Sequence, residues 1–277
     1  MIKVMAMKAR TQKLFLIPYY LWIALFVIAP ILLIVYYSFL DLYGNFTLKN
    51  YRRFFSPVYL EMTLTSFWYA LLITLFCLIV AYPTAYLLTR TRYKQLWMLL
   101  IIMPSWINLL LKAYAFIGIF GAHGMANALL EVLGIGSRQI LYTDFSFIFV
   151  AVYIFIPFMI LPIFNALDKL DKTYIDAAMD LGASRWQTFL RVIFPLTLNG
   201  VKSGCQVVFI PALSLFMLTR LIAGNRVITL GTAVEQQFLV NQDWGMGSTI
   251  AVFLVIIMFI IVALSERGVR NGKKAKN

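Results

Sequence analysis

The side chains able to do acid–base, nucleophilic or metal chemistry are few in this sequence, and they are not grouped. The 277 residues include one His, two Cys and 11 Asp or Glu. Cys77 and Cys205 lie inside apolar runs, where a cysteine acts as a small buried hydrophobe rather than as a redox group. His123 has no second histidine with which to hold a metal ion. We therefore expect no catalytic residue, no metal site and no cofactor bound by this chain.

Residues 168–191 have the residue types of a docking element. Thr173 followed three residues later by Asp176 is typical of a capping pair at the start of a short helix. A stripe with small side chains follows; Gly182 ends or bends that helix, and Ser184 is placed to cap a second one. A short helix with a small-residue face can dock a partner protein, but it can also lie on lipid headgroups. The residues alone leave both alternatives open.

A second group of residues could bind a cation, because ammonium groups are held by aromatic faces and carboxylates. The candidates along such a pathway are Trp106, Tyr114, Tyr153, Glu235, Asp243 and Trp244. Among them, Asp243 and Trp244 are expected at the mouth of the pathway, since they lead into the last apolar run. Trp and Tyr at the ends of membrane spans also serve as interface anchors. No Asp or Glu lies within an apolar run, so the sequence offers no deep counter-ion.

The elements that must position these residues are long apolar runs. Hydrophobic residues make up 62% of the chain, charged residues only 13%, and the mean hydropathy is +0.86. About 20 apolar residues cross a bilayer as a helix. The sequence therefore predicts an all-α membrane protein, a single domain 1–277, with six transmembrane helices at about 14–40, 62–89, 96–122, 145–167, 192–219 and 244–265. Lys112 and Lys202 interrupt two of these runs and would either face the pathway or extend to headgroups.

The basic residues indicate how the chain is oriented. Sixteen of the 24 Lys and Arg residues lie in the two termini and in the loops on their side of the membrane, and six lie in the opposite loops. The positive-inside rule then places both termini and the 168–191 loop in the cytoplasm, with extracytoplasmic loops at about 41–61, 123–144 and 220–243. The excess of positive charge is thus a topology signal, and binding to nucleic acid is not expected.

The 168–191 loop also resembles a known family. Asp176-Ala177-Ala178, three residues, Gly182, nine residues and then Val192-Ile193-Phe194-Pro195 is similar to the coupling loop of permease subunits from binding-protein-dependent ABC importers, with Asp in place of the usual Glu. The resemblance implies the type I importer permease fold, with a cytoplasmic coupling helix that contacts an ATP-binding subunit. The coupling residues that it implies are Asp176, Ala177, Ala178, Gly182, Ala183 and Pro195.

The same resemblance implies the partners. The chain has no Gly-x4-Gly-Lys-Ser/Thr phosphate loop, so ATP and Mg are expected on a separate ATPase and the chain itself is not an enzyme. A dimer of ATP-binding subunits, a second homologous permease subunit and an extracytoplasmic substrate-binding protein would complete the importer. The family resemblance places it in the bacterial plasma membrane, in contact with lipid.

Other stretches are similar to the first permease subunit of spermidine/putrescine importers. They include Pro104–Asn108, the run Lys112-Ala-Tyr114 and Asp180–Ser184, and this resemblance adds Asn108 to the pathway candidates. Importers of ferric iron, thiamine, sulfate and opine-type compounds share the coupling loop, so they are alternatives. A membrane-embedded enzyme would show clusters of His, Asp or Glu in its spans, and a passive scaffold would need no coupling loop.

Overall fold

The structure, a computed structural model, describes residues 16–274, and these are helical apart from connecting turns and one isolated antiparallel bridge between Leu40 and Phe46. Six helices are long and apolar enough to cross a membrane, which confirms the predicted all-α fold with six spans. They are Leu16–Ser38, Pro57–Thr89, Leu109–Val132, Asp144–Asp168, Arg185–Leu213 and Trp244–Leu264, here called the first to the sixth span. The first two residues of the predicted range 14–40 lie outside the described residues.

Shorter helices connect the spans. They are Lys49–Phe54 before the second span, Lys94–Ile102 and the 3₁₀ turn Met103–Trp106 before the third, Lys172–Asp180 before the fifth, and Met217–Leu221 and Leu230–Glu235 after the fifth. The helix of the sixth span continues to Lys274.

The region predicted as one helix at 96–122 is broken in the structure. A helix ends at Ile102, the 3₁₀ turn contains Pro104, and Ile107 is extended with φ −70° and ψ 136°. A new helix then starts at Leu109, capped by the Asn108 side chain, which accepts a hydrogen bond from Leu110 N at 2.8 Å. Pro104 lacks a backbone donor and Asn108 is a strong N-cap, so both favour a break that hydropathy does not register.

The predicted fifth span, 192–219, is also displaced. The helix begins at Arg185 and ends at Leu213, where the chain turns before the short Met217–Leu221 helix. The residues from 220 to 233, predicted as part of an extracytoplasmic loop, include buried and helical stretches. Leu218, Ile222 and Leu230 are at most 1% exposed, so this segment packs into the helix bundle.

By its contacts, the described chain divides into two compact units. The larger contains residues 57–233 and 257–274, and the smaller contains residues 16–56 and 234–256. In the larger unit, the second, fourth and fifth spans pack together around Ile73, Val150 and Val208, which are fully buried. Gly200 and Gly204, four residues apart, face the fourth span, and this spacing of small residues lets helix backbones approach closely in membranes.

In the smaller unit, the end of the first span meets the first half of the sixth. Thr249 Oγ1 donates a hydrogen bond to the Ser38 carbonyl at 3.1 Å, and the Phe54 ring stacks on Phe253 with ring centroids 3.9 Å apart. The Ser38 hydroxyl also lies 2.7 Å from the Tyr51 hydroxyl. These contacts hold the end of the first span and the helix Lys49–Phe54 against the sixth span.

Candidate functional site

The helix Lys172–Asp180, here called the loop helix, begins with a cap other than the one predicted. The N-cap is Asp171, whose Oδ1 accepts hydrogen bonds from Thr173 N at 3.0 Å and Thr173 Oγ1 at 2.7 Å. Thr173 is therefore a donor to the cap, and the predicted Thr173–Asp176 pair is wrong. A carboxylate at a helix N-terminus satisfies free N–H groups and faces the positive end of the helix dipole. The same hydrogen bonds, the backbone one foremost, lower the pKa of Asp171 below its ordinary value.

The loop helix ends at Gly182, as the sequence predicts. Gly182 has φ +84°, its N–H donates to Met179 O at 2.9 Å, and the Ala183 N–H donates to Ala178 O at 3.0 Å. This pair of bonds is a Schellman motif, which turns the chain sharply through a left-handed residue. No atom outside its chain neighbours lies within 4 Å of the position that a Gly182 Cβ would occupy. The turn is therefore open to another molecule.

Ser184 starts the next helix, also as predicted. Its hydroxyl accepts from Gln187 N at 3.3 Å, and the Gln187 side chain accepts from Ser184 N at 2.9 Å, which completes a capping box. This helix is the start of the fifth span, which continues through a π-helical turn, Phe189–Ile193, to Pro195. Arg191 lies in this turn, and Pro195 cannot donate to its carbonyl, so the wider turn accommodates the missing hydrogen bond.

Large apolar side chains are exposed around the small residues of this loop. Tyr174, Met179 and Trp186 are 46–67% exposed, and Leu181 is 89% exposed. Between them, Asp176 and Ala177 are exposed, while Ala178 and Ala183 are half-buried. The structure thus brings the predicted coupling residues 176–183 onto one projecting loop. An apolar surface of this kind is typical of a contact with another protein or with a membrane.

A polar cavity of about 320 Å³ lies beside the loop helix. It is lined by the ends of the second and fourth spans and by Lys172, Ile175 and Asp176. Lys94 forms an ion pair with Asp168 at its edge, and the Arg90 guanidinium lies 4.4 Å from the Tyr86 ring centroid. None of these four side chains is predicted as a site residue by the sequence. Their clustering depends on the packing of three helices, which local sequence patterns do not show.

The pathway candidates of the larger unit lie at the start of the third span and on the fourth span. Trp106 and Tyr114 are 73% and 59% exposed, and Asn108 is exposed but serves as a helix cap. Tyr153 is 41% exposed, and its ring contacts Phe116 edge-on with centroids 5.0 Å apart. The structure brings Tyr153 next to a buried lysine, Lys112, and both line one cavity.

Of the candidates in the smaller unit, Asp243 has a structural role. It is 7% exposed, its Oδ1 accepts from Met246 N at 2.9 Å, and its Oδ2 lies 3.7 Å from Arg53 Nη1. It therefore caps the sixth span and pairs with an arginine, a geometry that does not favour the predicted attraction of a free cation. Trp244 remains 53% exposed, its ring near Tyr37 and Phe238. Glu235 is half-buried at the end of the helix Leu230–Glu235.

Comparison with known proteins identifies similar chains. Residues 77–271 match the family described as "Binding-protein-dependent transport system inner membrane component". The "Spermidine/putrescine transport system permease protein PotB" of Haemophilus influenzae is 34% identical over 266 residues, covering 92% of this chain and 93% of that protein. The protein of the same name from Escherichia coli K12 is 37% identical over 259 residues, covering 90% and 94%.

A solved structure has a similar fold. It is a bacterial alginate ABC transporter in complex with an alginate pentasaccharide-bound periplasmic protein, with a TM-score of 0.78, 14% identity, and coverage of 95% of both chains. At this identity the likeness concerns the fold.

Proposed function

This chain belongs to the family of binding-protein-dependent transport system inner membrane components, and from that membership we propose that it translocates polyamines as one permease subunit of an ATP-driven importer. The substrate class rests on the sequence identity with spermidine/putrescine permeases, which is 34–37% over at least 90% of this chain. Sulfate permeases of the same class are similar over a shorter part, 30% over 53% of this chain in the Prototheca wickerhamii protein. The full-length similarity therefore favours polyamines.

The energy for transport comes from a separate ATPase, which binds ATP and Mg. The exposed loop with Asp176, Ala177, Ala178, Gly182 and Ala183 is the surface that docks in this ATPase. Its short side chains allow close approach of a partner backbone, and the exposed Leu181 and Trp186 supply apolar area. Pro195 acts less directly, because it lies within the fifth span, next to the π-helical turn Phe189–Ile193.

The loop must face the cytoplasm for this docking, which agrees with the positive-inside rule. Both termini then lie in the cytoplasm of a bacterium, and the opposite face receives a substrate-loaded binding protein. A second, homologous permease subunit completes the pathway. The alginate transporter that shares this fold was solved with a periplasmic binding protein, which supports a partner of that kind here.

The substrate pathway in this proposal uses aromatic faces. Tyr114, Tyr153, Trp106 and Trp244 are partly exposed and can contact methylene or ammonium groups at about 0.5–2 kcal/mol each. Asn108 and Glu235 are further candidates. Asp243 contributes only indirectly, because its carboxylate accepts a hydrogen bond from Met246 N and forms an ion pair with Arg53.

The test is uptake by a purified complex. This chain, its ATPase, the second permease and the binding protein would be reconstituted in proteoliposomes, and ATP-dependent uptake of labelled spermidine and putrescine measured. Thiamine, sulfate and ferric iron serve as competing substrates. A complex with an ATPase disabled in its phosphate-loop lysine is the control.

We expect uptake of polyamines that requires ATP and the binding protein. Uptake of another substrate without any polyamine uptake would reject the substrate assignment and keep the transporter class. Failure of this chain to co-purify with any ATPase would reject the coupling assignment as well.

A further inference from the structure

Lys112 is a buried cation for which the described residues provide no partner. It is 8% exposed, and among the described residues its side chain makes no ion pair and no hydrogen bond. The position of Lys112 in the helix Leu109–Phe120 also makes its positive charge unfavourable. It is the fourth residue of that helix, close to the positive end of the helix dipole, which disfavours a cation by about 0.3–1 kcal/mol.

The Lys112 side chain lines a cavity of about 190 Å³. The cavity opens at the bundle surface beside Tyr153, and Ser105 and Pro157 form part of its wall. The Ser105 hydroxyl donates to Ile102 O at 2.6 Å, so it is already engaged. Pro157 cannot donate to the Tyr153 carbonyl, which adds one acceptor to this region but no charge. No carboxylate is among the residues that line the cavity.

The cavity lies beside the middle of the fourth span. Tyr153 and Pro157 belong to the 25-residue fourth span, Asp144–Asp168. At about 1.5 Å per residue, Tyr153 is roughly 13 Å from one end of this helix and Pro157 roughly 16 Å from the other. A four-carbon side chain is shorter than either distance, so the Lys112 ammonium group in this cavity does not reach the ends of the fourth span.

A charge at this depth costs several kilocalories per mole unless it is paired. The ends of the fourth span, where lipid phosphate would lie, are beyond the reach of the side chain, and the described residues that line the cavity include no carboxylate. A polyamine substrate, if the proposed function holds, is itself a cation and repels Lys112. The remaining source of negative charge at this depth is the other half of the pathway.

We propose that Lys112 forms an ion pair within the membrane with an Asp or Glu side chain from a span of the second permease subunit. This inference rests on the proposed function for the presence of that subunit. The cavity mouth beside Tyr153 is then part of the interface between the two permease halves, and the ion pair sets which helices face each other.

The test measures assembly of the full complex. Lys112→Met removes the charge and keeps the length of the side chain, and Lys112→Arg keeps the charge. Each Asp and Glu in the spans of the second permease is changed to Asn or Gln, alone and together with Lys112→Met. The readout is the amount of second permease that co-purifies with this chain, alongside spermidine uptake in proteoliposomes.

We expect Lys112→Met to lower co-purification about tenfold or more, because one charge of a buried pair is left alone. Neutralising one particular carboxylate should cause a similar loss, and combining it with Lys112→Met should restore co-purification to within about threefold of the parental complex. Lys112→Arg should retain most of it. Lys202→Met, which changes a half-buried lysine of the fifth span, is the matched control and should have little effect.

Parental assembly and uptake by Lys112→Met would overturn the proposal, as would the absence of any restoring carboxylate. A second permease with no Asp or Glu in its spans would overturn it without further work. Because co-purification does not depend on the substrate, a complex that shows the charge pair but transports no polyamine would reject only the proposed substrate.

Discussion

The Ser66 hydroxyl accepts a hydrogen bond from the backbone N–H of Leu230 at 2.7 Å, across 164 positions of sequence. Both residues are at most 1% exposed, and the Ser66 hydroxyl also donates to the Met62 carbonyl at 2.8 Å. This bond attaches the segment after the fifth span to the second span. Thr219, Thr229 and Thr232 extend the polar network, with hydroxyl oxygens 2.8–3.1 Å apart. The segment is therefore a packed part of the larger unit.

Ser66→Ala should destabilise this segment. The substitution leaves the Leu230 N–H buried without its acceptor, at a cost of about 1–3 kcal/mol. The measurement is thermal unfolding of the purified protein in detergent, together with protease cleavage near residue 225. Thr63→Ala is the matched control, since the Thr63 hydroxyl bonds only the Tyr59 carbonyl of its own helix. Equal melting temperatures for the two variants would show that the hydrogen bond between Leu230 N and the Ser66 hydroxyl does not contribute to stability.

Gly200→Ala should disturb the packing of the fourth span against the fifth. A Cβ on Gly200 would lie 2.5 Å from the Ala166 Cβ and 2.7 Å from the Pro162 carbonyl oxygen, so one helix must move. Overpacking of this kind costs about 1–3 kcal/mol. Gly118→Ala is the control, because a Cβ there meets nothing within 4 Å. We expect a lower melting temperature for Gly200→Ala only. Equal melting temperatures for the two variants would mean that the close approach of the fourth and fifth spans at Gly200 does not contribute to stability.

The sequence predicts the number of spans well because crossing a membrane requires long apolar runs, and their lack of charge is visible directly. It does not locate the breaks within them. Asn108 interrupts the predicted third span as the N-cap of a new helix, and Ser214 follows the last residue of the fifth span. Neither residue changes the mean hydropathy of its apolar run enough to reveal the break. The burial of Thr219 and Leu230 depends on contacts with distant helices, so residues 220–233 looked like a loop.

In the candidate site, too, residues with a local sequence signature were predicted, and residues whose role depends on particular hydrogen bonds or distant partners were missed. Gly182 and Ser184 were predicted because a left-handed turn and a capping box have local signatures. Asp171 was missed because Thr173 is an equally good cap by type, and only the hydrogen bonds decide between them. The role of Asp243 was missed because its partner Arg53 is far away in sequence.

Asp243 and Trp244 can be separated by substitution. Asp243→Asn keeps a side chain able to cap the sixth span, so uptake of spermidine should stay within about twofold of the parental rate. Asp243→Ala removes the cap and should cost about 1 kcal/mol in stability. Trp244→Ala should slow uptake several-fold if its exposed ring contacts the substrate. A large loss of uptake for Asp243→Asn, with unchanged stability, would instead support a direct role for the carboxylate.

Orientation can be tested by labelling single cysteines in intact cells. On a background without Cys77 and Cys205, a cysteine at Lys172 should react with a membrane-impermeant reagent only after the cells are opened. A cysteine at Gly44, in an exposed turn with no atom within 4 Å of its Cβ position, should react from outside. Labelling of position 172 from outside intact cells would contradict the cytoplasmic placement of the loop.

Gly182 offers the sharpest test of coupling to an ATPase. Its φ of +84° disfavours most side chains, but Asn and Asp tolerate this region better than other residues. Because a Cβ at this position has no described atom within 4 Å other than those of its chain neighbours, both variants should insert and purify normally. Gly182→Asp places a charge in the docked interface and should lower transport and substrate-stimulated ATP hydrolysis at least about tenfold. Gly182→Asn, nearly the same size but neutral, should retain more of both activities. A well-expressed Gly182→Asp variant with parental uptake would exclude this turn from the contact with the ATPase.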